Sequence, residues 1–243
     1  MPFTQNFRIY RYDGDFRGLL KPGALLRYSQ QIAGEHAAAL GLTDEVYART
    51  NTAYVLAKLA LHFTQPPRVD TTLTVSTEPE KLKRAVNRRF TIAADETGRE
   101  LACVDSRWVL IDTRRRMILR KHPEEFPTSG WVENLDRELP MKLTKVPRES
   151  CEVLGVHRAD YSRCDMNGHM NNTIYADLIC DALPPEVWRT SFVQDMILYY
   201  HKEVPMGQSL QLCRAALAPD RWYFAGWGED CCHFEAEITL QKL

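Results

Sequence analysis

One order of elements is written twice along this chain, and that order restricts the fold more than any single residue does. In the first half, "KPGALLRYSQQIAGEHAAALGL" sets Leu25, Tyr28, Ile32, His36 and Leu40 at steps of three and four, the period of an amphipathic helix. Pro22 suits its first turn and Gly41 its exit. Extended segments follow at 59–63 and 73–77. A hairpin comes next, with Phe90, Ile92 and Ala94 alternating before the turn "DETGRE" and Ala102, Val104, Trp108 and Leu110 alternating after it.

The second half restates the plan. Met170, Ile174, Leu178 and Ala182 step by four, with Tyr175 and Ile179 beside them, and Pro184-Pro185 stop the helix. "SFVQDMILYYHKEV" and "SLQLCRAAL" read as strands. A last hairpin runs from Trp222 through "GWGEDC" to Cys232, Phe234, Ala236, Ile238 and Leu240. Strand, long helix and antiparallel meander, given twice in units of about 120 residues, predict an α+β duplication. Leu73-Thr74-Val75 answers Leu210-Gln211-Leu212 at an offset of 137. Identity between the halves is low, so order and period carry the duplication. Four prolines at 123, 127, 140 and 147 mark the linking stretch. The expected division is 1–125, a connector 126–147, and 148–243.

Composition narrows the class. The chain has 243 residues, 44% hydrophobic and 26% charged, enough apolar content for a real core. A net charge of −1 gives no global attraction for nucleic acid. The basic residues are clustered, however, in "KLKR" (81–84), "NRR" (87–89) and "RRR" (114–116). No run of ~18 apolar residues exists, so no membrane-spanning helix is predicted. The start, "MPFTQNFRIYRYDGDF", has no apolar core of a signal peptide, and seven cysteines without metal-type spacing fit a reducing cytoplasm. Asn171-Asn172-Thr173 is formally a glycosylation sequon but has no export signal to accompany it. No metal is expected, and no glycine-rich phosphate loop or other cofactor signature is present.

The stretch "CDMNGHMNNTIY" (164–175) crowds a carboxylate, an imidazole and three side-chain amides ahead of the second helical pattern. Asp165 or Asn167 capping the helix is the plain explanation. Two further amides and a histidine exceed that job. A helix start presents free amides and partial positive charge, which suits an oxyanion formed from an attacked carbonyl. Asp165, Asn167 and His169 can surround such a carbonyl, and a carboxylate with a histidine can activate water and protonate a leaving group.

The segment "DMNGHMNNTIYADLICDALP" resembles the catalytic segment of the acyl-ACP thioesterases. That resemblance implies a tandem double hotdog, each half an antiparallel sheet wrapped around a long central helix. It also implies that Asp-x-Asn-x-His opens the helix of the second hotdog and that a downstream acid completes the site, here Glu203 in "LYYHKEVPMGQSL". The first half, with "DGDFRGLLKP" and with Gln65 or Pro66 where the acid would fall, then becomes a hotdog that binds the acyl chain without chemistry of its own. On this reading Asp165 and Glu203 orient or deprotonate water, Asn167 and His169 position the thioester, and the amides of Gly168, His169 and Met170 form the oxyanion hole. No cofactor is implied, and the partner is acyl carrier protein. Oligomeric state stays open, a homodimer included. Plant members carry a cysteine after the glutamate, whereas this chain has Val204, so a thiol mechanism does not carry over. The start of the chain fits a bacterial-type enzyme better than a plastid one.

Lys81, Lys83, Arg84, Arg88 and Arg89 suit an acidic carrier by charge, and equally suit solvated strand faces. His36, His62 and His201 read as structural histidines, and the five tryptophans as core, with one or two walling an acyl tunnel. Three alternatives share the pattern. One is an acyl-CoA thioesterase. Another is a hotdog enoyl hydratase, whose Asp-x-Asn-Pro-x-His is one residue longer. The third is a non-catalytic acyl-binding module.

Overall fold

The computed structural model describes residues 2–127 and 129–243. The first half runs β1 (Phe3–Arg8), α1 (Pro22–Ala39), α2 (Asp44–Thr50), β2 (Thr52–Phe63), β3 (Thr72–Pro79), β4 (Val86–Ala94), β5 (Glu100–Asp112) and the short β6 (Met117–Ile118). The second runs β7 (Glu152–Arg158), α3 (Ile174–Asp181), α4 (Val187–Thr190), β8 (Ser191–Tyr200), β9 (Ser209–Ala218), β10 (Arg221–Trp227) and β11 (Cys232–Lys242). Both hairpins read from the alternation are present, β4–β5 and β10–β11.

The sheet order is β1-β3-β4-β5-β2-β8-β11-β10-β9-β7, with β6 beside β5, so each half mirrors the other. The halves meet at an antiparallel seam between β2 and β8, from Lys58 opposite Tyr199 to His62 opposite Asp195. One sheet therefore serves both helices. Its inner face and the helices share a continuous core that includes Leu25, Ile32, Leu61 and Val75 from one half and Ile179, Met196 and Phe234 from the other. Burying a side chain of this size is worth about 1.5–3 kcal/mol, so the seam is held by packing as well as by hydrogen bonds.

Matching backbone contacts measure the duplication. Leu20 N–H donates to the Pro67 carbonyl at 2.8 Å, and Met170 N–H to the Val204 carbonyl at 2.8 Å, offsets of 150 and 137. The second half thus lacks thirteen residues between loop and strand. The loss falls on its helices: α3 has 8 residues where α1 has 18. This corrects the long second helix expected from Met170 to Ala182. Met170 gives its amide to Val204, and the Asn171 side chain caps the Thr173 amide at 2.9 Å, so α3 opens only at Ile174.

The linking residues lie along the outer face of the sheet, tied to buried carboxylates. Leu135 N–H donates to Glu80 at 3.1 Å, Leu139 N–H to Asp105 at 3.1 Å and Thr144 N–H to Glu237 at 3.0 Å. Each acid is nearly sealed from solvent, and a buried carboxylate requires such donors.

Candidate active site

The site starts where β7 ends. Ala159, fully buried, donates to the Gln208 carbonyl and accepts from Gly207, each at 2.8 Å, which pins the chain to the start of β9. A 3-10 turn (Tyr161–Arg163) then delivers Asp165. Residues 165–169 form a tight turn: Asp165 N–H donates to the His169 carbonyl at 3.1 Å, and Gly168 N–H to the Asp165 carbonyl at 3.0 Å. Gly168 has φ +77°, a backbone that only glycine adopts without strain.

Inside this turn the Asp165 carboxylate is held but not neutralised. Its Oδ1 accepts Asn167 N–H at 2.9 Å, and Asn171 Nδ2 approaches its Oδ2 at 3.5 Å. Asn171 cannot turn its amide over, because its Oδ1 accepts both the N–H (2.9 Å) and the hydroxyl (2.8 Å) of Thr173. His169 Nδ1 stands 3.8 Å from Asp165 Oδ1, beyond a hydrogen bond but within ion-pair range. The Asp165 side chain is 16% exposed and that of His169 25%, so water reaches both.

Glu203 is exposed on the segment after β8, next to Val204, whose carbonyl receives Met170 N–H. Tyr175, on the first turn of α3 and 2% exposed, lies within the field of both acids. Burial pushes its phenol up first, and the charges of Asp165 and Glu203 push it further. The Tyr200 ring packs against Tyr175 at 5.6 Å between centroids, and its hydroxyl donates to the Asn172 carbonyl at 2.9 Å. Asn167 sits exposed at the tip of the turn, and its side-chain amide has no partner among the described residues.

The amide set expected for an oxyanion is corrected by these bonds. Gly168 N–H is committed to Asp165 and Met170 N–H to Val204, leaving His169 N–H as the one of the three without a partner among the described residues. The turn also precedes α3 rather than entering it, and the Thr173 N–H at the helix start is taken by Asn171 Oδ1 at 2.9 Å.

The first half carries the same loop in the same backbone. Asp15 N–H donates to the Leu19 carbonyl at 2.8 Å and Gly18 N–H to the Asp15 carbonyl at 2.9 Å. The aspartate and the glycine are kept, but the side chains around the carboxylate differ. Arg17 occupies the position of Asn167 and clamps Asp15 Oδ2 from Nε (3.0 Å) and Nη2 (2.7 Å). Leu19 stands for His169, and its amide donates to Asp15 Oδ1 at 3.0 Å. The Leu20–Pro67 contact, matching Met170–Val204, puts Pro66 where Glu203 stands. A doubly bonded carboxylate with no imidazole and no second acid has nothing with which to activate water.

Two of the five basic residues expected to face a carrier point elsewhere. Arg89 is 7% exposed on the inner face of β4 and donates from Nη1 to His36 Nδ1 and Thr77 Oγ1, each at 3.2 Å. Arg88 lies on the outer face against Glu80 (3.8 Å) and Asp105 (3.6 Å). Burial and pairing withdraw both from a docking surface. Lys81 pairs with Glu133, and Lys83 pairs with Glu80 at 2.9 Å, but both stay about half exposed, and Arg84 is exposed on a left-handed backbone (φ +51°). Each of the three histidines has a partner: His36 with Arg89, His62 with Asp195 at 2.7 Å and His201 with Glu235 at 2.8 Å.

Two cavities run along α1. A narrow one of ≈ 20 Å³ touches Leu26 and Ser29 as well as Asn172, Thr173 and Tyr200 beside the loop. A larger one of ≈ 190 Å³ continues past Gln30 and Ala33 to Tyr54, Arg89 and Trp131. Trp108 borders both. Sequence reasoning did not single out Asn171, Tyr175 or Tyr200; the amide excess in "MNN" was the available signal for the first.

A family model described as the acyl-ACP thioesterase N-terminal domain matches residues 1–127, and one described as the C-terminal domain matches residues 149–242. A chloroplastic acyl-[acyl-carrier-protein] hydrolase of Cuphea viscosissima is 28% identical over 217 residues, which are 83% of this chain and 52% of that protein. The palmitoyl-acyl carrier protein thioesterase of Arabidopsis thaliana is 25% identical over 247 residues, 95% of this chain and 59% of its own. The chain thus spans little more than half the length of these plant relatives. Among solved structures, an acyl-ACP thioesterase of Bacteroides thetaiotaomicron superposes with a TM-score of 0.88 at 22% identity, covering 98% of this chain and 97% of that one. The 12:0-ACP thioesterase of Umbellularia californica gives 0.87 at 19% identity, covering 100% and 98%. These two share the double-hotdog fold described above.

Proposed function

The chain belongs to the acyl-ACP thioesterase family, and we propose that it hydrolyses the thioester of a fatty acyl chain carried on acyl carrier protein, releasing the free acid. The observation that carries this reading is the contrast between two loops of one backbone. Asp15 is clamped by Arg17, whereas Asp165 is oriented by amides, faces an imidazole and remains open to water.

In the proposed reaction a water held by Asp165 and Glu203 loses a proton to one of them and attacks the thioester carbon. The carbonyl oxygen, now carrying charge, takes the His169 N–H. As the carbon–sulfur bond breaks, the carrier thiolate leaves and takes a proton from the His169 imidazole, which recovers one from the carboxylate that deprotonated the water. Asn171 and Tyr175 act on the geometry: the first fixes the carboxylate, and the second supplies a neutral phenol within the field of both acids. The acyl chain would pass Asn172 and Tyr200, run by Trp108, which borders both cavities, and fill the first-half cavity. From Leu26 to Ala37 that path follows α1 for about 16 Å at its rise of 1.5 Å per residue. The C-terminal half then does the chemistry and the N-terminal half measures the chain. Lys81, Lys83 and Arg84 are the residues left to meet an acidic carrier.

Free acid release from a panel of acyl-ACPs and the matching acyl-CoAs tests the reading. Turnover of acyl-ACP well above acyl-CoA is expected. No turnover of any acyl-ACP, or a preference for CoA, would overturn it.

A further inference from the structure

Arg89 is an unusual residue to find on the inner face of a sheet. Its strand neighbours Asn87 and Thr91 alternate onto the same face, toward α1, and all three are buried. Arg88 and Arg107 place their cations against Glu80 and Asp105 on the opposite face, but Arg89 pairs with no carboxylate among the described residues. Its two hydrogen bonds, to His36 and Thr77, both leave from Nη1, so Nε and Nη2 have no partner there. Burial draws the guanidinium down to about 10, which leaves it charged at neutral pH. The groups around it are neutral under the same conditions. Burial and then the charge of Arg89 pull His36 down to about 4, burial pushes Tyr47 up to about 12, and it pushes Tyr54 up as well. An uncompensated buried cation is costly, and this one borders the ≈ 190 Å³ cavity at its end remote from the catalytic loop.

We propose that Arg89 recognises an acceptor oxygen at the far end of the acyl chain, so that the substrates of this site are acyl groups ending in a hydroxyl, carbonyl or carboxylate rather than in a plain methyl group. The inference rests on reading the first-half cavity as the acyl pocket. Asn87, Tyr54 and Trp131 share the cavity wall with the guanidinium, and a planar fork with free donors matches an oxygen in their midst. A methyl end would strip water from those donors and replace it with nothing.

The test compares wild type with Arg89→Met on acyl-ACPs of one length whose far end is a methyl, a hydroxyl or a carboxylate. Calorimetric binding of the three corresponding free acids runs alongside. Wild type is expected to favour the oxygen-bearing chains about tenfold or more in kcat/KM and in Kd, as a charged hydrogen bond allows, and Arg89→Met to lose that ratio. Its melting temperature should not fall, because the substitution removes an uncompensated charge. A wild-type preference for the methyl-ended chain overturns the proposal. So does an Arg89→Met whose only change is acceptance of longer chains, since the guanidinium would then be a floor. If Arg89→Met fails to fold, the wild-type ratios decide alone. Free acids bound with the expected preference but no acyl-ACP hydrolysed would sink the hydrolase reading and leave this one standing; hydrolysis without preference would do the reverse.

Discussion

Replacing Asp165 by Asn separates chemistry from architecture at this site. The amide oxygen of the new side chain can still accept Asn167 N–H, now at 2.9 Å. Its NH₂ must then face Asn171 Nδ2, which approaches the carboxylate at 3.5 Å in the wild type. Asn171 cannot invert, because its oxygen is held twice by Thr173. The structural loss is one long hydrogen bond, at most about 1 kcal/mol, or about 2–4 °C in Tm for a chain of this size. Loss of a positioned base costs about 10²–10⁴ in kcat, roughly 2.7–5.5 kcal/mol of barrier. The two effects differ enough to be read apart. The assay is steady-state release of free acid at saturating acyl-ACP, with thermal denaturation of the same sample. A variant that keeps more than half of wild-type kcat would remove Asp165 from the chemistry. One that melts ten or more degrees lower, about three times the expected shift, would show that the loop had collapsed and that the lost activity says nothing about a base.

Glu203→Gln and His169→Ala should each lower kcat by at least ~100-fold. The exposed Glu203 should do so with no change in Tm, and a stable but fully active Glu203→Gln would leave Asp165 as the sole base. Reversing Lys81, Lys83 and Arg84 to Glu should raise KM for acyl-ACP but not for acyl-CoA, and the difference should shrink with salt, which screens exposed charges over ~10 Å at 0.1 M; equal changes on both substrates would end the docking proposal. No cysteine is expected to be acylated: burial pushes the thiols of Cys103 and Cys232 up to about 12, and Val204 is wholly buried. Cys164→Ala should therefore stay active, Val204→Cys should gain little, and rapid-quench mass spectrometry should find no thioester on any of the seven cysteines. Stability should fall on acidification through His36, whose folded value of about 4 lies below its unfolded 6.5. The unfolded chain binds the proton first, so the loss accrues between those two values and amounts to at most about 3–4 kcal/mol. His36→Gln should flatten that part of the Tm-against-pH curve, and an unchanged slope would show that other groups carry it.

Periodicity made most of the fold legible, because strands and helices that cover one face leave a pattern of two or of 3.6. It failed where a side chain overrode the pattern. Met170 continues the apolar step of the second helix, yet its amide serves Val204 and Asn171 caps Thr173, so the helix starts later than the pattern says. The seam between β2 and β8 was equally hidden, since pairing across 133 residues, His62 to Asp195, leaves no local trace. At the site, the acid and histidine were visible as residue types crowded ahead of a helix. Which amide stays free was not, because that depends on which carbonyls the turn brings close.

The basic clusters show the sharper limit. In "NRR" two adjacent arginines look alike as sequence, but on a strand adjacent residues face opposite sides. Arg88 meets Glu80 and Asp105 beneath the linking segment, and Arg89 meets a cavity. A charge run says that cations are present; only the strand register says whether they face a partner, an ion pair or a substrate. The alternation of Phe90, Ile92 and Ala94 reads as the core face, and extending it back carries Arg88 inward and Arg89 outward. The structure has it the other way: Asn87, Arg89, Thr91 and Ala93 are buried on the face toward α1, and Phe90 lies under the Arg137 guanidinium on the outer one. Apolar alternation misassigns the faces here because both sides of β4 are covered, one by α1 and the other by the linking segment.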